Sequence, residues 1–395
     1  MPPIRSMREI EIPDPVKLSR YKQSPGHGPN ILFFSGGTAL RGVSRELIGY
    51  THNSTHIITP FDSGGSSAVI RDAFDMPAVG DIRNRLMALA DLSVPGNKEI
   101  FALFTYRLSK KDSPQFLLDE LRRMTEGDHV LVSLLPESKR SIISGYFRQF
   151  LEFMPDDFDL RGASVGNLML TAGYLANGRR MERVLTAFSE LACIRGVVRP
   201  VVNGDHHLAA ELADGSVIVG QHLLTGKEAA PLTSKIDRVW LTEALDSPEP
   251  VEVAISDQMK ESITHADLIC YPVGSFYSSV VANILPYGVG EAVSSNKCPK
   301  VFVPNPAHDP ELIDHSVEDQ VVRLQEYLIA SGAPDATSAL EYVLVDSKNG
   351  EYLGGFDKSA VEKLGVEVID CPLTTESSSP YFDEDRLVQA LLSLA

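Results

Sequence analysis

The chain has 395 residues, 43% of them hydrophobic and 23% charged, and 53 acidic residues outnumber 36 basic ones to give a formal net charge of −17. This hydrophobic content supports a large packed core and excludes global disorder. A dedicated nucleic-acid surface is also excluded, because binding a phosphate backbone requires a clustered excess of Lys and Arg.

The acidity is concentrated in the last quarter of the chain. Residues 301–395 contain 18 acidic and five basic residues, whereas residues 36–85 contain five of each. The net charge therefore does not oppose binding of a small phosphorylated ligand to the N-terminal part.

The cysteines and the N-terminus indicate a cellular compartment. Cys193, Cys270, Cys298 and Cys371 are far apart and lack the paired spacing of zinc or iron–sulfur sites, so we expect reduced thiols. The N-terminus is charged and interrupted by proline where a signal peptide needs an apolar run, and the sequence has no apolar stretch of 18 residues. We expect a soluble cytoplasmic protein without a membrane partner.

The first elements predict an α/β fold. Residues 1–29 form a polar, proline-bearing arm that is typical of loop. The apolar run Ile31–Phe34, a glycine turn, a segment with apolar residues at helical spacing and the run His56–Phe61 then predict a βαβ unit. A βαβ unit implies a parallel sheet.

The rest of the chain predicts further helices and strands. Residues 96–160 and 164–195 are mostly helical in pattern, and alternation around Asp214-Gly215 predicts a β-hairpin. Beyond it we expect strands at RVWLTE, LICYPV and KVFVPN that restore the α/β alternation, a helix around Val251–His265, a capping box from Ser316 to Asp319, and a final helix at DEDRLVQALLSL.

Two glycine loops follow the first two predicted strands. Gly36, Gly37 and Thr38 come after the first, and Asp62-Ser63-Gly64-Gly65-Ser66-Ser67 after the second. Ligands of open parallel sheets bind at the carboxyl ends of strands, so both loops should open on one edge, where amides and hydroxyls suit phosphate. Asp62 could bind a divalent cation or a sugar hydroxyl. The alternatives are an ordinary βαβ turn for the first loop and a helix-capping turn for the second.

Three weaker motifs add candidates. Asp81, Arg83 and Asn84 fall in the first turn of a helix after Gly80, where Arg83 suits a bidentate phosphate contact, although Asp81 could equally be a plain N-cap. Asn167 begins an apolar helix, and Gly274-Ser275 follow a predicted strand. The sequence contains neither GxGxxG nor a Walker A motif, and no metal pattern accounts for His308, Asp309, Asp314 and His315.

In order, these motifs resemble the CofD-like family from about residue 30 to about residue 328. The matching segments are GGT, DSGGSS, GDIRNRLMALAD, SVGNLMLTAGYL, ELADGSVIVG and ADLICYPVGSFYSSVVANILPYGVGEAV followed by KVFVPN. The family includes 2-phospho-L-lactate transferase and the YvcK-type gluconeogenesis factors, and GGSS and GDIRN are closer to the YvcK-type branch.

The resemblance implies a Rossmann-like parallel sheet with helices on both faces, a homodimer, a nucleotide or nucleotide-sugar ligand, and Mg²⁺ as cofactor. It divides the chain into the arm 1–29, a CofD-like domain 30–328 with a helical insertion at about 92–160, and an acidic C-terminal extension 329–395 packed on the core. Carried over by position, Asp62 is the catalytic and metal-binding residue. The implied ligand-binding residues are Gly36, Gly37, Thr38, Ser63, Gly64, Gly65, Ser66, Ser67, Asp81, Arg83, Asn84, Asn167, Gly274, Ser275 and Asn283.

Departures from the family leave two hypotheses open. The family's paired aspartates appear here as Asp62-Ser63, which puts a two-carboxylate metal site in question, and Ala163 replaces the usual histidine before the Ser-x-Gly-Asn helix. We expect a transferase of the 2-phospho-L-lactate transferase type that acts on a nucleotide-diphosphate-linked substrate. The alternative is a non-catalytic YvcK-type nucleotide-sugar-binding regulator of carbon metabolism or cell-envelope synthesis.

Overall fold

The protein is seen in a computed structural model whose description covers residues 9–226 and 229–395. The strands of this part are β1 (Ile31–Ser35), β2 (Thr55–Ile58), β3 (Val197–Pro200), β4 (His207–Leu212), β5 (Val217–Val219), β6 (Ile236–Thr242), β7 (Leu268–Tyr271), β8 (Lys300–Phe302), β9 (Tyr342–Val345) and β10 (Glu367–Asp370). Seven of them form one parallel sheet in the order β10-β9-β8-β7-β1-β2-β3, and β5-β4-β6 form a small antiparallel sheet.

Helices connect the strands. The α-helices are α1 (Pro15–Gln23), α2 (Arg41–Leu47), α3 (Gly65–Phe74), α4 (Gly80–Ala88), α5 (Asn97–Thr105), α6 (Pro114–Glu126), α7 (Val130–Ser133), α8 (Glu137–Phe153), α9 (Val165–Ala176), α10 (Met181–Leu191), α11 (Gln221–Leu224), α12 (Asp257–Thr264), α13 (Val289–Ser295), α14 (Val317–Ala330), α15 (Lys358–Lys363) and α16 (Glu384–Leu394). A π-helical turn spans Phe276–Val280, and short 3₁₀ turns span Pro25–His27 and Val281–Asn283.

Both faces of the large sheet are covered, which confirms the predicted fold class. Every residue of β1 is buried, as expected for a parallel strand between two layers. Leu32 and Phe34 pack into the core that includes the small sheet, α13 and α14, while Ile31 and Phe33 pack into the core that includes α2 and α16. The alternation follows from the two-residue period of a strand.

A third core occupies the helical part between β2 and β3. It joins α3 to α10 through aromatic side chains such as Phe104, Phe147 and Phe188. The predicted insertion at about 92–160 corresponds to α5–α8, and α8 packs along α9. This helical layer therefore lies beside the loops that follow β1 and β2.

Several sequence predictions need correction. The strand at RVWLTE is present, but it pairs antiparallel with β4 in the small sheet, and the helix predicted around Val251–His265 is confined to Asp257–Thr264. Within the predicted arm, residues 1–8 lie outside the described part, while Pro15–Gln23 form a helix because Asp14 caps it and Leu18 packs into the core with α16.

The last part of the chain is part of the sheet itself. Residues 329–395, expected as an extension packed on the core, supply strands β9 and β10 at one edge, and α16 packs on α2. The predicted capping box is present, because Ser316 and Asp319 exchange side-chain-to-backbone hydrogen bonds of 3.1 Å each.

Two predictions about cysteines and membranes can be compared with the structure. Cys193, Cys270, Cys298 and Cys371 are all free. Across residues 9–226 and 229–395, no helix combines the length and the apolar character needed to cross a bilayer.

Candidate functional site

A cleft of about 490 Å³ opens at the carboxyl ends of the central strands. Loops that follow β1, β2, β7 and β8 form its walls, as expected for the ligand crevice of an open parallel sheet. Predicted residues that line it are Gly36, Gly37, Thr38, Asp62, Gly64, Asp81, Gly274 and Ser275.

The first glycine loop packs directly against two neighbouring elements. A Cβ atom on Gly37 would lie 2.8 Å from the Cα of Asp81, and one on Gly36 would lie 3.1 Å from the Cβ of Ser279. Real Cβ atoms rarely approach so closely, so only glycine allows the loop to lie this near α4. The double glycine therefore serves the close approach of the loop to the start of α4.

Arg85 lies fully buried under the same loop. Its guanidinium donates hydrogen bonds to the carbonyl oxygens of Gly36 at 2.7 Å and Leu40 at 2.9 Å, and to the hydroxyls of Ser35 at 3.3 Å and Ser44. Burial lowers the pKa of Arg85 to about 10, which leaves it cationic at neutral pH. A positive charge is thus fixed beneath the predicted phosphate loop.

The second loop brings an aspartate and a histidine to the cleft. The Oδ1 atom of Asp62 accepts a hydrogen bond of 3.1 Å from the backbone amide of Gly64. Ser63 does not line the cleft; its Oγ lies 2.8 Å from Nδ1 of His222, which does. Ser63 therefore orients a cleft histidine.

A second carboxylate joins Asp62. Because the start of α4 lies over Gly37, Asp81 lines the same cleft as Asp62. Position 63 lacks the family's second carboxylate, and Asp81 supplies a second carboxylate to the cleft from a different element. Among the described residues, no cluster of three or more His, Cys, Asp or Glu side chains is arranged to bind a metal ion.

The backbone amides of the loop after β7 donate hydrogen bonds to carboxylates of the protein itself. The carboxylate of Asp309 accepts from the Phe276 amide at 2.9 Å, and that of Glu311 accepts from the amides of Tyr277 at 2.9 Å and Ser278 at 2.8 Å. Burial raises the pKa of both carboxyls, that of Glu311 to about 8. These amides are therefore already bonded and do not face a ligand phosphate.

The other predicted residues lie beside the cleft. Ser66, Ser67, Arg83, Asn84 and Asn167 gather where α3, α4 and α9 begin. Gly65 is the first residue of α3. Asn283 is fully buried and donates to the carbonyl oxygens of Ser35 at 3.1 Å and Ser279 at 2.7 Å, so it fixes the end of β1 to the π-helical turn.

Sequence reasoning missed several cleft residues. They come from α11 and its end, from the loop after β8, and from the segment before α16, and include Gln221, His222, Thr225, Asn305, His308, Asp309 and Tyr381. None of these segments has a recognisable ligand motif. The one available signal is the concentration of His and Asp residues around His308, and it matches no metal-binding pattern.

Comparisons with known proteins identify a family and several relatives of this chain. The family model described as 2-phospho-L-lactate transferase CofD matches residues 31–374. A putative gluconeogenesis factor of Thermoanaerobacterium thermosulfurigenes is 30% identical over 93% of this chain and 97% of its own length, and the gluconeogenesis factor of Bacillus subtilis strain 168 is 27% identical over 93% and 98%. A putative gluconeogenesis factor of Nostoc sp. is 29% identical over 92% of this chain and 68% of its own length.

A solved structure is similar in fold. The crystal structure of a UPF0052 family member from Bacillus halodurans superimposes with a TM-score of 0.68 and 23% sequence identity, covering 92% of this chain and 99% of that one. At this identity the likeness concerns the α/β fold alone.

Proposed function

The chain belongs to the 2-phospho-L-lactate transferase CofD family, and from this premise we propose that its cleft binds a nucleotide-diphosphate-linked ligand, as a regulator of the gluconeogenesis-factor kind. The convergence of the two glycine loops at one edge of the sheet carries the proposal. Glycine loops next to helix N-termini present backbone amides that suit phosphate oxygens. The relatives that match nearly the whole chain bear the gluconeogenesis-factor name, which favours a regulator.

Arg85 supports binding of an anion in this cleft. Its guanidinium engages the carbonyl oxygen of Gly36, whose partial negative charge would otherwise repel a phosphate oxygen. It also adds a buried positive charge where water screens it poorly. His222, oriented by Ser63, offers a further polar group to the cleft.

The cleft also fits Mg²⁺. Asp62 and Asp81 supply two carboxylates and Thr38 a hydroxyl, and Mg²⁺ is commonly bound by one or two carboxylates together with substrate phosphates. We propose that Asp62 and Asp81 hold the ion. Bound there, Mg²⁺ would neutralise charge on the diphosphate.

The two carboxylates favour transfer as a second candidate function. Phosphoryl-type transfer depends on positioning and charge neutralisation more than on a strong nucleophile, and Asp62, Asp81 and Arg85 provide both around one cleft. Such a reaction would pass a phosphorus-containing group from a nucleotide-diphosphate-linked donor to an acceptor and release a nucleoside monophosphate.

Calorimetry and product analysis on the full chain separate these functions. We expect UDP-sugars or GDP to bind in the presence of Mg²⁺, and Asp62→Ala to weaken binding at least tenfold. The control Asp119→Ala removes an exposed carboxylate on α6 and should leave binding unchanged.

The outcomes discriminate clearly. Binding without release of nucleoside monophosphate supports the regulator, whereas Mg²⁺-dependent release that Asp62→Ala abolishes supports the transferase. If no nucleotide binds, both functions are refuted.

A further inference from the structure

Three helices begin at one place beside the cleft. Nδ2 of Asn167 in the first turn of α9 lies 3.5 Å from Oγ of Ser66 in the first turn of α3. A Cβ on Gly80, the first residue of α4, would lie 2.8 Å from Oγ of Ser67 and 4.0 Å from Nδ2 of Asn167. The N-terminal turns of α3, α4 and α9 are therefore in contact.

None of these helices is capped by its own N-cap side chain in the described chain. Gly64 and Val79 have no side-chain acceptor to offer, and the hydroxyl of Ser164 accepts a hydrogen bond from Nη1 of Arg83 instead of from the first turn of α9. Each helix N-terminus has a partial positive charge. Three of them add partial positive charge at one place, opposed by the carboxylate of Asp62, whose Oδ2 atom would lie 3.7 Å from the same Cβ on Gly80.

Two arginines increase this positive charge. Arg83 is only 7% exposed, and Arg107, from the segment between α5 and α6, donates to Oγ of Ser66 at 3.2 Å and to the carbonyl of Gly162 at 3.1 Å. Burial, together with the positive charges of Arg107 and Arg41 and against the opposing carboxylate of Asp81, lowers the pKa of Arg83 to about 10.

Buried polar atoms at this place lack partners. Within residues 9–226 and 229–395, Nε of Arg83 and Oδ1 of Asn167 have no hydrogen-bond partner, although Asn167 is only 1% exposed. Ser66 Oγ accepts from both Arg107 and Asn167, so its own hydrogen is left to donate. Unsatisfied buried groups are costly and mark a place where a ligand can bind.

We propose that the first turns of α3, α4 and α9, with Arg83, Arg107 and Asn167, form a subsite for a phosphate monoester group. The arginines and helix N-termini supply donors and positive charge for the unprotonated oxygens. Oδ1 of Asn167 is an acceptor, and it matches the P–OH hydrogen of a singly protonated phosphate. Sulfate has the same shape but no such hydrogen, so the subsite should prefer phosphate.

The phosphate group could belong to the cleft ligand or to a separate molecule. The inference rests on the proposed function in one respect, because that function assigns the neighbouring cleft to a nucleotide. Titrating inorganic phosphate with and without saturating UDP or GDP distinguishes the sources: competition assigns the group to the same ligand, and simultaneous binding assigns it to a second molecule.

The test is calorimetric titration of the full chain with inorganic phosphate and with sulfate at constant ionic strength. We expect phosphate to bind more tightly than sulfate, and Arg107→Met to weaken phosphate binding about tenfold. Arg107 is exposed, so this variant should fold. Asn167→Ala should reduce the preference for phosphate over sulfate. The control Arg122→Met removes an exposed arginine on α6 and should change neither affinity.

Other outcomes overturn the inference. Unchanged phosphate affinity in Arg107→Met, or equal affinity for phosphate and sulfate in the wild type, would refute the subsite. Loss of phosphate binding in Thr38→Val with no loss in Arg107→Met would place the ion in the cleft instead. Phosphate binding that depends on Arg107 in a protein that binds no nucleotide would refute the proposed function and leave the subsite standing.

Discussion

Asp81 and Arg85 lie one helical turn apart on α4 and contact the same glycine loop. The backbone of Asp81 approaches Gly37 so closely that a Cβ there would lie 2.8 Å from its Cα, and Arg85 donates to the Gly36 carbonyl at 2.7 Å. Residues four apart share one face of a helix. The rotation of α4 about its axis therefore sets the shape of the predicted phosphate loop.

Gly37→Ala tests this contact. The added methyl group would overlap Asp81, including its backbone, so the loop must move away from α4. We expect nucleotide affinity to fall at least tenfold and the free energy of unfolding to fall by about 1–3 kcal/mol, the usual cost of overpacking. Calorimetry and urea unfolding measure the two effects.

Gly145→Ala provides the matched control. Gly145 lies within α8, and a Cβ there would meet nothing within 4 Å. Alanine is the better helix former, so this variant should gain about 0.5–1 kcal/mol of stability and bind nucleotide normally. Normal nucleotide binding in Gly37→Ala would contradict the role of the close approach.

Arg85→Met should loosen the loop from below. The substitution removes the donors to Gly36, Leu40, Ser35 and Ser44 while keeping an apolar side chain of similar length. We expect nucleotide affinity to fall more than tenfold and the free energy of unfolding to fall by about 1–3 kcal/mol, because the part-buried carbonyl of Gly36 loses this donor. Arg85→Lys keeps the charge without the planar fork and should bind with intermediate affinity. Equal affinities in both variants would show that the hydrogen-bond geometry is unimportant.

Glu311 should make stability depend on pH. Burial, assisted by the neighbouring Asp309 carboxylate, raises the pKa of Glu311 from 4.5 to about 8. The folded state therefore keeps a proton that the unfolded state has lost, so the free energy of unfolding should decrease as pH rises from about 5 to about 8.

Glu311→Gln imitates the protonated carboxyl and should flatten this decrease, with the largest gain over the wild type at pH 8. Urea unfolding at several pH values measures it. Glu376→Gln, which changes an exposed carboxyl, should keep the wild-type slope. A slope in Glu311→Gln equal to that of the wild type would exclude Glu311 as its source.

Ser63→Ala should release His222. Ser63 is buried, and its Oγ bonds Nδ1 of His222 at 2.8 Å. If His222 contacts the ligand, losing this orientation should weaken nucleotide binding by about three- to tenfold without altering the fold. His222→Ala should weaken binding at least as much, and adding Ser63→Ala to it should have no further effect. Additive losses in the double variant would mean that Ser63 acts independently of the histidine.

The strands in the middle of the sheet could be predicted, because local pattern determines them. Ile31–Phe34 is a continuous apolar run, as a strand buried on both faces requires. The edge strands could not. Val197–Pro200 contains an arginine and a proline, and Glu367–Asp370 begins and ends with acidic residues, because one side of each strand is not paired.

The sequence pattern also could not predict contacts between residues that are far apart in the chain. The segment that contains Trp240 was correctly predicted as a strand, yet its pairing with β4 depends on tertiary packing. In the same way the two glycine loops indicated a ligand edge, but nothing near His222 or Tyr381 in the sequence indicates that these side chains reach it. The predicted homodimer, the Mg²⁺ ion and the ligand stay predictions.

Because α16 packs on α2, the cleft is completed only late in the synthesis of the chain. The first glycine loop belongs to the first tenth of the chain, yet Tyr381 lines its cleft, Glu384 packs against Gly42, and Tyr50 bonds the carboxylate of Asp385 at 2.9 Å. A nascent chain on the ribosome has made its glycine loops long before it has made the wall that encloses them. A ligand of the proposed kind would therefore have no complete cleft to enter until translation has passed the residues around Tyr381.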